Sequence, residues 1–324
     1  MAPRRVLITS VFLHPGDAVD RRLQAAGFET VHRPLLQQRT EDELIELLQG
    51  VEGTICSTDP FTARVLKAAP QLKVIARTGV GYDAIDLDAA TACGVTVCNT
   101  PGVNRHAVAE WAMALMLYCS RRMAANMAEV RKGGWERYEG MDLAGKTLGI
   151  VGLGAIGKEV AQRARAFEMR LLACDVVEDI QFAEAHGLSY VPLETLLRES
   201  DFVTLHLFLN AQTRHLINAE RLALMKPTAY LINTSRGGVV DTKALCDVLR
   251  EQRIAGAALD VFEGEPLAAD SPLRELDNAY LSPHMAGGTR DARTLSGATA
   301  AENLIRALNG QPRNVVNREV LRSR

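Results

Sequence analysis

The sequence has few aromatic residues and no excess of either charge. Tryptophan, tyrosine and phenylalanine make up 5% of the 324 residues, and the formal net charge at neutral pH is −2. A charge balance of this kind gives no reason to expect a nucleic acid or an anionic membrane as a partner. We therefore expect neither of these partners and look for a small-molecule ligand.

Metal-binding cysteine patterns and long apolar runs are also missing. The six cysteines show no C-x-x-C spacing and no cysteine–histidine pattern, so we expect mostly buried apolar side chains and no metal site. No apolar leader-like run follows the first residues, and the helical stretch around 111–119 is too short to cross a bilayer. These absences predict a cytoplasmic protein.

Short apolar runs alternate with amphipathic helical patterns through most of the chain. This alternation predicts parallel strands joined by crossover helices, and hence an α/β fold with doubly wound parallel sheets. The length of 324 residues suits two domains. One long helix is predicted from Arg105 to about Val130, between two alternating blocks, and a last helix from Thr289 to Leu308. Strands are predicted at Val6–Thr9, Glu29–His32, Gly53–Ser57, Lys73–Arg77, Val95–Asn99, Thr147–Val151, Arg170–Cys174, Phe202–His206, Ala229–Asn233, Ile254–Leu259 and Ala279–Ser282.

A G-x-G-x-x-G motif follows one predicted strand and opens a helix. Its glycines are Gly152, Gly154 and Gly157. In this context the first glycine allows a tight turn, the second lets backbone amides approach a pyrophosphate, and the third lets the helix pack on the strand. The helix N-terminus then offers unpaired N–H groups to the phosphates. The motif predicts a dinucleotide site.

Asp175 ends the next predicted strand, eighteen residues beyond Gly157. A carboxylate at this point accepts hydrogen bonds from the adenosine ribose and repels the 2′-phosphate of NADP. Neither Val176 nor Val177 supplies a cation that would reverse this preference. We therefore predict NAD as the cofactor.

Three later segments offer one arginine, one histidine and one carboxylate. Arg236 follows a strand at its carboxyl end, where open α/β sheets bind ligands, and its planar fork suits a 2-oxo acid. His284 lies between Ser-Pro and a Gly-Gly pair, a turn that exposes an imidazole able to exchange protons at neutral pH. A carboxylate beside it would favour the imidazolium, and spacing alone leaves the choice open between Glu263 and Glu265. Asp260 is a candidate for holding the nicotinamide ribose or carboxamide.

These residues belong to a longer ordered series of motifs. The series consists of Arg77–Asp83, Asn99–Gly102, Val108–Glu110, Leu148–Gly157, Asn233–Gly238, Ala258–Phe262, Pro283–His284 and Asn314–Asn317. In this series the chain resembles the D-isomer-specific 2-hydroxyacid dehydrogenase family over essentially its whole length. The resemblance implies an NAD-dependent enzyme that interconverts a D-2-hydroxy acid and its 2-oxo acid.

The resemblance also implies a role for each candidate residue. The family's catalytic arginine falls on Arg236, its histidine on His284 and its glutamate on Glu265, which favours Glu265 over Glu263. The substrate carboxylate is expected at Gly79 and Val80, together with Arg236. For His206 the sequence leaves two roles open, a structural role and a place in the lining of the cofactor site. Cofactor contacts are expected at Gly152, Gly154, Ala155, Ile156, Gly157, Asp175, Leu207, Thr234, Ser235, Arg236, Asp260, His284 and Gly287.

The implied architecture is a Rossmann cofactor domain inserted into a flavodoxin-like substrate domain. Residues 101–285 would form the NAD-binding domain, and residues 1–100 and 286–324 the substrate domain, to which the last helix returns. The active site is expected in the cleft between the domains. Family members usually dimerise through the cofactor domain and the long helix near Arg105, which predicts a homodimer.

The substrate is the open question within the family. The runs Gly134–Arg137 and Leu143–Gly149 resemble 3-phosphoglycerate dehydrogenases, and Arg137 matches a position from which a neighbouring subunit approaches the phosphate. The loop Cys56–Phe61 departs from that pattern because it lacks the expected arginine, and Asp59 would repel a phosphate. We expect hydroxypyruvate or glyoxylate, with 3-phosphohydroxypyruvate possible through Arg137. The alternative from another functional class is an NAD-sensing corepressor of the same fold.

Overall fold

The structure, a computed structural model, describes residues 4–35 and 39–322. The chain divides into two compact units: unit 1 comprises residues 1–104 and 290–324, and unit 2 comprises residues 105–289. These boundaries lie four residues beyond the predicted ones, at 104 rather than 100 and at 289 rather than 285. Each unit contains a parallel sheet with helices, so the predicted α/β class is confirmed.

In unit 1, strands and helices alternate along the chain. Among the described residues its five strands pair in parallel in the order β2-β1-β3-β4-β5, which is the flavodoxin-like order. The elements are β1 (Arg4–Ile8), α1 (Ala18–Ala25), β2 (Phe28–His32), α2 (Glu41–Leu47), β3 (Val51–Cys56), α3 (Ala63–Lys67), β4 (Val74–Arg77), α4 (Leu87–Ala92) and β5 (Thr96–Cys98).

Local chemistry explains where these elements begin and why they are buried. Val6, Leu7 and Ile8 of β1 are fully buried, as expected for a parallel strand covered on both faces. The four helices α1 to α4 each begin after a side chain that accepts a hydrogen bond from a backbone N–H of the first turn. These capping side chains are Asp17, Thr40, Thr62 and Asp86.

Unit 2 repeats the alternation around a larger sheet. Its elements are α5 (Arg105–Ser120), α6 (Met123–Arg131), β6 (Thr147–Val151), α7 (Ala155–Ala166), β7 (Arg170–Cys174), α8 (Ile180–His186), β8 (Leu188–Tyr190), α9 (Leu193–Glu199), β9 (Phe202–Leu205), α10 (Ala219–Leu222), β10 (Tyr230–Asn233), α11 (Thr242–Arg250), β11 (Gly256–Leu259) and β12 (Ala279–Leu281). The strand order is β12-β11-β10-β9-β6-β7-β8. Counted from β6, this is the Rossmann order with one further strand at the edge, so the predicted Rossmann domain is confirmed.

The strand order fixes where unit 2 binds its ligand. The chain runs outward from β6 through β7 to β8, and then returns to the other side of β6 with β9. In an open parallel sheet a ligand binds outside the carboxyl ends of the strands at the point where the order reverses. This point lies between β6 and β9.

The predicted single helix from Arg105 to about Val130 is wrong. The structure has two helices, α5 and α6, and Arg122 between them adopts a left-handed φ of 47°. The backbone N–H of Met141 donates to the carbonyl of Ser120 at 2.7 Å, so a distant segment bonds the end of α5. A side chain at Gly140 would come within 2.3 Å of that carbonyl oxygen. The sequence pattern did not reveal the break, because the contact that accompanies it comes from a distant segment of the chain.

The last helix, α12 (Arg290–Leu308), belongs to unit 1. Its Ala300 and Leu304 are fully buried in a core with Val6 and Ile8 of β1. Short 3₁₀ turns occur at Gly237–Val239, Pro272–Glu275 and Arg318–Leu321. Within the described ranges, the helices are all too short or too polar to cross a bilayer.

Candidate active site

The glycine motif forms the turn between β6 and α7. Gly152 has a φ of 94°, and a side chain there would come within 2.5 Å of the carbonyl oxygen of His206. A side chain at Gly157 would come within 2.2 Å of the carbonyl oxygen of Gly152. These two close approaches require glycine, and they bring the turn against the end of β9.

Gly154 differs from its two neighbours because the space beside it is open. It caps α7 without a side-chain hydrogen bond, and an added Cβ would meet no atom within 4 Å. The amides that begin α7, at Ala155 and Ile156, therefore border open space at a helix N-terminus, which favours an anion. The turn fits the pyrophosphate of a dinucleotide.

Two buried polar atoms at the carboxyl edge of the same sheet strengthen this fit. Thr234 Oγ1, beyond β10, and His206 Nδ1, beyond β9, are both buried and find no hydrogen-bond partner among residues 4–35 and 39–322. A buried polar group without a partner costs free energy, and a ligand bound at this edge would supply the missing partners. Their location at the carboxyl edge matches a dinucleotide running along it.

Asp175 follows β7 and contacts the glycine turn directly. Its Oδ2 accepts from the backbone N–H of Leu153 at 2.6 Å, and its Oδ1 accepts from the N–H of Val177 at 3.2 Å. The carboxylate therefore stabilises the glycine turn. It also lies at the end of β7, where the sequence predicts contact with the adenosine ribose. Val176 and Val177 are strongly exposed, and neither supplies a cation.

Arg236 lies in a turn that Asn233 organises. The Asn233 side chain accepts from the N–H and the hydroxyl of Ser235, at 3.0 and 2.8 Å, and donates to the carbonyl of Arg236 at 2.9 Å. Arg236 Nη1 donates to the carbonyl of Ser235 at 2.7 Å. A side chain at Gly237 would collide with the backbone of Phe262 at 1.8 Å. The turn after β10 is thus rigid, which orients the guanidinium.

His284 is paired with Glu265. Its Nδ1 lies 2.7 Å from Glu265 Oε2, and both side chains are partly exposed, at 47% and 36%. Glu263, the other candidate, lies instead 2.6 Å from Nε2 of His215. The structure therefore brings Glu265, and not Glu263, to the predicted histidine.

The pKa of Glu265 reflects its pairing with His284. Burial is the largest single influence on this carboxyl and acts to raise its pKa, but the hydrogen bond and charge of His284, together with two weaker influences, lower the pKa below its ordinary value. The N–H of Phe262 and the charge of Arg236 act in the same direction. Arg236, Glu265 and His284 are thus electrostatically coupled within unit 2. Such coupling is typical of functional sites.

Asp260 is completely buried and holds the loop that contains His284. Its Oδ1 accepts from the hydroxyl of Ser282 at 2.6 Å and from the N–H of Met285 at 2.9 Å, and its Oδ2 accepts from the N–H of Ala286 at 2.7 Å. The N–H of His284 donates to the carbonyl of Asp260 at 2.9 Å. Sequence reasoning assigned Asp260 only to the cofactor and missed this bracing of the loop.

His206 is a poor candidate for proton transfer. Burial lowers its pKa to about 3, so the imidazole is neutral at physiological pH. Its Nε2 lies 3.0 Å from the hydroxyl of Thr204. A structural role and a neutral role in the cofactor lining both remain compatible with this position.

The remaining predicted cofactor residues surround the same sheet edge. Ser235 is buried in the turn after β10. Leu207 follows β9, and its side chain lies 3.1 Å from where a Cβ of Gly152 would be. Gly287 follows Ala286 in the loop that Asp260 holds and is partly buried.

The predicted substrate loop of unit 1 is held by the end of β5. The carbonyl of Gly79 accepts from the N–H of Thr100 at 3.0 Å, and the carbonyl of Val80 accepts from the Asn99 side chain at 2.7 Å. The Arg77 guanidinium occupies the space beside Gly79, where a Cβ would come within 1.8 Å of its Nη1. A cation therefore lies at this loop.

The sequence predicts that Asp59 would repel a phosphate, and the structure adds that Asp59 is paired with a cation. Asp59 Oδ1 lies 3.1 Å from Nε of Arg39, and both side chains are about nine-tenths buried. Asp59 Oδ2 accepts from the hydroxyl of Thr9 at 2.6 Å. Sequence reasoning missed Arg39 because it lies twenty residues away in a different loop and in no recognisable motif.

A known family matches more than half of this chain. Its description is D-isomer specific 2-hydroxyacid dehydrogenase, NAD binding domain, and the match spans residues 113–286. The chain belongs to this family. The resemblance stated from the sequence motifs is thereby confirmed, and the matched segment lies within unit 2.

Individual relatives of this D-2-hydroxyacid dehydrogenase agree with the family match. A glyoxylate reductase of Korarchaeum cryptofilum is 47% identical over 274 residues, 82% of each chain. A D-3-phosphoglycerate dehydrogenase of Methanocaldococcus jannaschii is 41% identical over 283 residues, which are 86% of this chain and 54% of that longer protein. The D-lactate dehydrogenase of Aquifex aeolicus, solved with NAD and lactic acid, has a TM-score of 0.84 and 31% identity, covering 94% of this chain and 96% of that one. The predicted dehydrogenase activity and nicotinamide cofactor are confirmed.

Proposed function

We propose that this dehydrogenase acts on small unphosphorylated 2-oxo acids, namely glyoxylate and hydroxypyruvate, and reduces them with NADH. The observation on which this proposal rests is the His284–Glu265 pair, 2.7 Å apart and coupled to Arg236. This set supplies a proton donor, a partner that fixes the donor, and a cation for an oxyanion. The glyoxylate reductase among the relatives supports the substrate class.

Each member of the set has one chemical task in the proposed reduction. NADH held by the glycine turn would supply the hydride that C2 of the substrate receives. Arg236 binds the C2 oxygen and stabilises the negative charge that develops on it. Because Nδ1 of His284 is bonded to Glu265, Nε2 is the nitrogen that gives its proton to this oxygen. In the oxidation direction the neutral imidazole takes the proton back.

We assign binding of the substrate carboxylate to the backbone of Gly79 and Val80. The hydrogen bonds from Thr100 and Asn99 to these two carbonyls fix the loop conformation. Fixed amides bind a carboxylate without a further cost of ordering, which favours affinity for a small substrate. The cation of Arg77 beside Gly79 supports this assignment.

Cofactor preference is expected to depend on the charge of Asp175. Asp175→Asn keeps an oxygen that can accept from Leu153 N–H but removes the charge that opposes a 2′-phosphate. We expect the NADH-to-NADPH ratio of kcat/KM to fall by about tenfold in this variant. Asp175→Ala should also weaken the binding of NADH, because the glycine turn loses the acceptor of its Leu153 N–H. Equal kcat/KM values for the two cofactors in the wild type would contradict this assignment.

Reduction is expected to depend on the charge of Glu265. The hydrogen bond and charge of His284 help to hold the pKa of this carboxyl below its ordinary value, so Glu265 is charged at neutral pH and loses its charge only as the pH falls through that lowered pKa. Glu265→Gln keeps an oxygen that can accept from Nδ1 of His284 but removes the charge. We expect kcat/KM for reduction at neutral pH to fall by about tenfold or more, and the difference from the wild type to shrink at low pH, where the wild-type carboxyl is protonated as well. An unchanged kcat/KM at neutral pH would exclude Glu265 from this role.

We further propose a homodimer formed through unit 2. A surface groove of about 570 Å³ lies between α5 and the β12 region, bordered by Trp111, Tyr118, Leu276 and Tyr280. The indole Nε1 of Trp111 is buried there and has no partner among the described residues. An aromatic groove with an unsatisfied donor suits a second copy of the chain.

A phosphorylated substrate would depend on Arg137. This arginine is exposed in the segment after α6. Asn126 fixes the neighbouring Tyr138 by accepting from its N–H at 3.0 Å and donating to its carbonyl at 2.9 Å. Arg137 is therefore displayed on an ordered segment, which leaves 3-phosphohydroxypyruvate as the alternative substrate.

A panel of 2-oxo acids tests the proposed substrate class. The loss of NADH absorbance is measured with glyoxylate, hydroxypyruvate, pyruvate and 3-phosphohydroxypyruvate. We expect the highest kcat/KM for glyoxylate or hydroxypyruvate. A preference of orders of magnitude for the phosphorylated acid would replace this proposal with the phosphoglycerate alternative. NADH binding without turnover would point to the corepressor alternative, which the relatives described above do not support.

A further inference from the structure

Two sequence motifs of unit 1, Asn99–Gly102 after β5 and Asn314–Asn317 beyond α12, lie side by side in the structure. The backbone N–H of Asn99 donates to the carbonyl of Asn314 at 3.2 Å. Neither motif supplies a group that touches the substrate or the cofactor in the proposed reaction. Their hydrogen bonds run instead from the C-terminal segment, through α12, to the substrate loop.

One peptide unit joins α12 to the Gly79–Val80 loop. The side chain of Asn303, in α12, donates through Nδ2 to the carbonyl of Asn99 at 2.9 Å. The N–H of the same peptide unit belongs to Thr100 and donates to the carbonyl of Gly79 at 3.0 Å. A trans peptide unit is planar, so its C=O and N–H point in opposite directions and turn together. The bond from Asn303 therefore also fixes the N–H that holds the loop.

Asn99 holds the next residue of the loop as well. Its Nδ2 donates to the carbonyl of Val80 at 2.7 Å. Asn99 is thus bonded at its N–H by Asn314, at its carbonyl by Asn303 and through its side chain to the loop. Hydrogen bonds that are linked in this way strengthen one another.

The donor of Asn303 has a fixed direction. The side chain is only 1% exposed, and its Oδ1 accepts from Nδ2 of Asn314 at 3.0 Å. With the oxygen bonded on that side, the amide nitrogen faces the carbonyl of Asn99. Ser296, seven residues earlier on the same face of α12, lies with its hydroxyl 3.3 Å from that of Thr100. Helix α12 therefore contacts the Asn99–Thr100 unit at two points.

We propose that Asn303 is a positioning residue for the substrate carboxylate: through the Asn99–Thr100 peptide unit it holds the Gly79–Val80 loop in its binding conformation. The inference rests on the proposed function, because it takes this loop as the carboxylate site. Asn303 itself does not touch the substrate. Without its donor the loop has more conformations to lose when the substrate binds, and this ordering lowers affinity.

Asn303→Ala removes the donor and tests the proposal. At saturating NADH we expect KM for hydroxypyruvate to rise by about tenfold, the effect of one lost hydrogen bond, and kcat to stay within about threefold. The dissociation constant of NADH, measured by fluorescence titration, should stay within about twofold, because the glycine turn belongs to unit 2. A loss of folded protein alone would lower the apparent kcat and leave KM unchanged.

Asn317→Ala is the matched control. Asn317 is 2% exposed, and it too bonds the backbone of unit 1, accepting from the N–H of Val97 and donating to the carbonyl of Val95, both at 2.9 Å. Neither contact reaches the substrate loop. We expect this variant to lose thermal stability to a similar extent as Asn303→Ala but to keep KM within about twofold of the wild type. An equal rise in KM in both variants would overturn the inference.

Hydrogen exchange gives a readout that does not depend on activity. In Asn303→Ala the N–H of Thr100, which donates to Gly79, should exchange faster, whereas the N–H groups of unit 2 keep their wild-type rates. A raised KM with unchanged exchange at Thr100 would show that the peptide unit does not carry the effect, and would overturn the inference.

A second variant covers the case in which Asn303→Ala does not fold, as judged by circular dichroism. Asn314→Gly removes the side chain that orients Asn303, and glycine suits the left-handed φ of 53° at this exposed position. It should raise KM by about threefold with kcat unchanged. If neither variant folds, the network is structural and the inference is overturned.

The outcomes separate this inference from the proposed function. If the wild type reduces hydroxypyruvate but Asn303→Ala leaves KM within about twofold, the inference is overturned and the proposed function stands. If the wild type reduces no 2-oxo acid, the proposed function fails, and the inference that rests on it fails as well.

Discussion

Replacing Arg236 by alanine is expected to lower kcat/KM for hydroxypyruvate by a factor of about 10²–10³, which corresponds to roughly 2.7–4 kcal/mol of transition-state stabilisation. The guanidinium is the group that we assign to the C2 oxygen, where negative charge develops as the hydride arrives. Alanine removes both the charge and the hydrogen bonds, and steady-state kinetics at saturating NADH measure the loss.

Two control variants show whether this loss is specific to Arg236. Arg236→Lys should also be strongly impaired, because one ammonium group does not reproduce the planar fork of a guanidinium. Arg221→Ala removes an arginine of the same unit that pairs with Glu194 at 3.2 Å, and it should stay within about twofold of the wild type. If Arg236→Ala kept more than about a tenth of the wild-type kcat/KM, Arg236 would not be the oxyanion cation.

Replacing His284 by asparagine is expected to lower kcat for reduction by a factor of about 10²–10⁴, the contribution of a positioned general acid. Asparagine suits this position because His284 has a φ of 53°, a left-handed conformation that asparagine adopts more readily than most residues. The hydrogen bond from the backbone N–H to Asp260 is thereby kept. The variant should still bind NADH, as measured by fluorescence titration, since only the proton donor is lost.

A second histidine offers an unusually close control for this variant. His215 also has a left-handed φ, of 50°, and its imidazole also lies next to a glutamate, 2.6 Å from Glu263. His215→Asn therefore makes the same change of side chain at the same backbone conformation. We expect it to retain kcat within about threefold of the wild type. Equal losses in the two variants would show that the effect of His284→Asn is structural.

Most of the fold could be predicted from the sequence because the relevant signals are local. A parallel strand buried on both faces is a short apolar run, and the strand from Arg170 to Cys174 was predicted with its observed bounds. The turn at Gly152 could be predicted as well, since a G-x-G-x-x-G motif between a strand and a helix marks positions where only glycine fits. The break at Arg122 could not be predicted, because the carbonyl of Ser120 accepts a hydrogen bond from Met141, which lies outside the helix.

The candidate site shows the same difference: residues with a local sequence signal could be predicted, and contacts between distant residues could not. Arg236 and His284 could be predicted from the sequence because each lies in a turn directly after a predicted strand, and the residues of that turn are distinctive. The choice of Glu265 over Glu263 needed the family resemblance, and the structure supplies its physical reason in the 2.7 Å contact with His284. The pairing of Asp59 with Arg39 joins two loops through their side chains, and no periodicity or spacing in the sequence records such a contact.

The reduction of hydroxypyruvate by the wild-type protein tests the central claim most directly. NADH oxidation is followed by absorbance, and the glycerate formed is assayed with enzymes specific for each enantiomer. A D-2-hydroxyacid dehydrogenase acting on this substrate class should form D-glycerate, mole for mole with the NADH consumed. Formation of L-glycerate, or no NADH oxidation above that of the His284→Asn variant, would contradict the account.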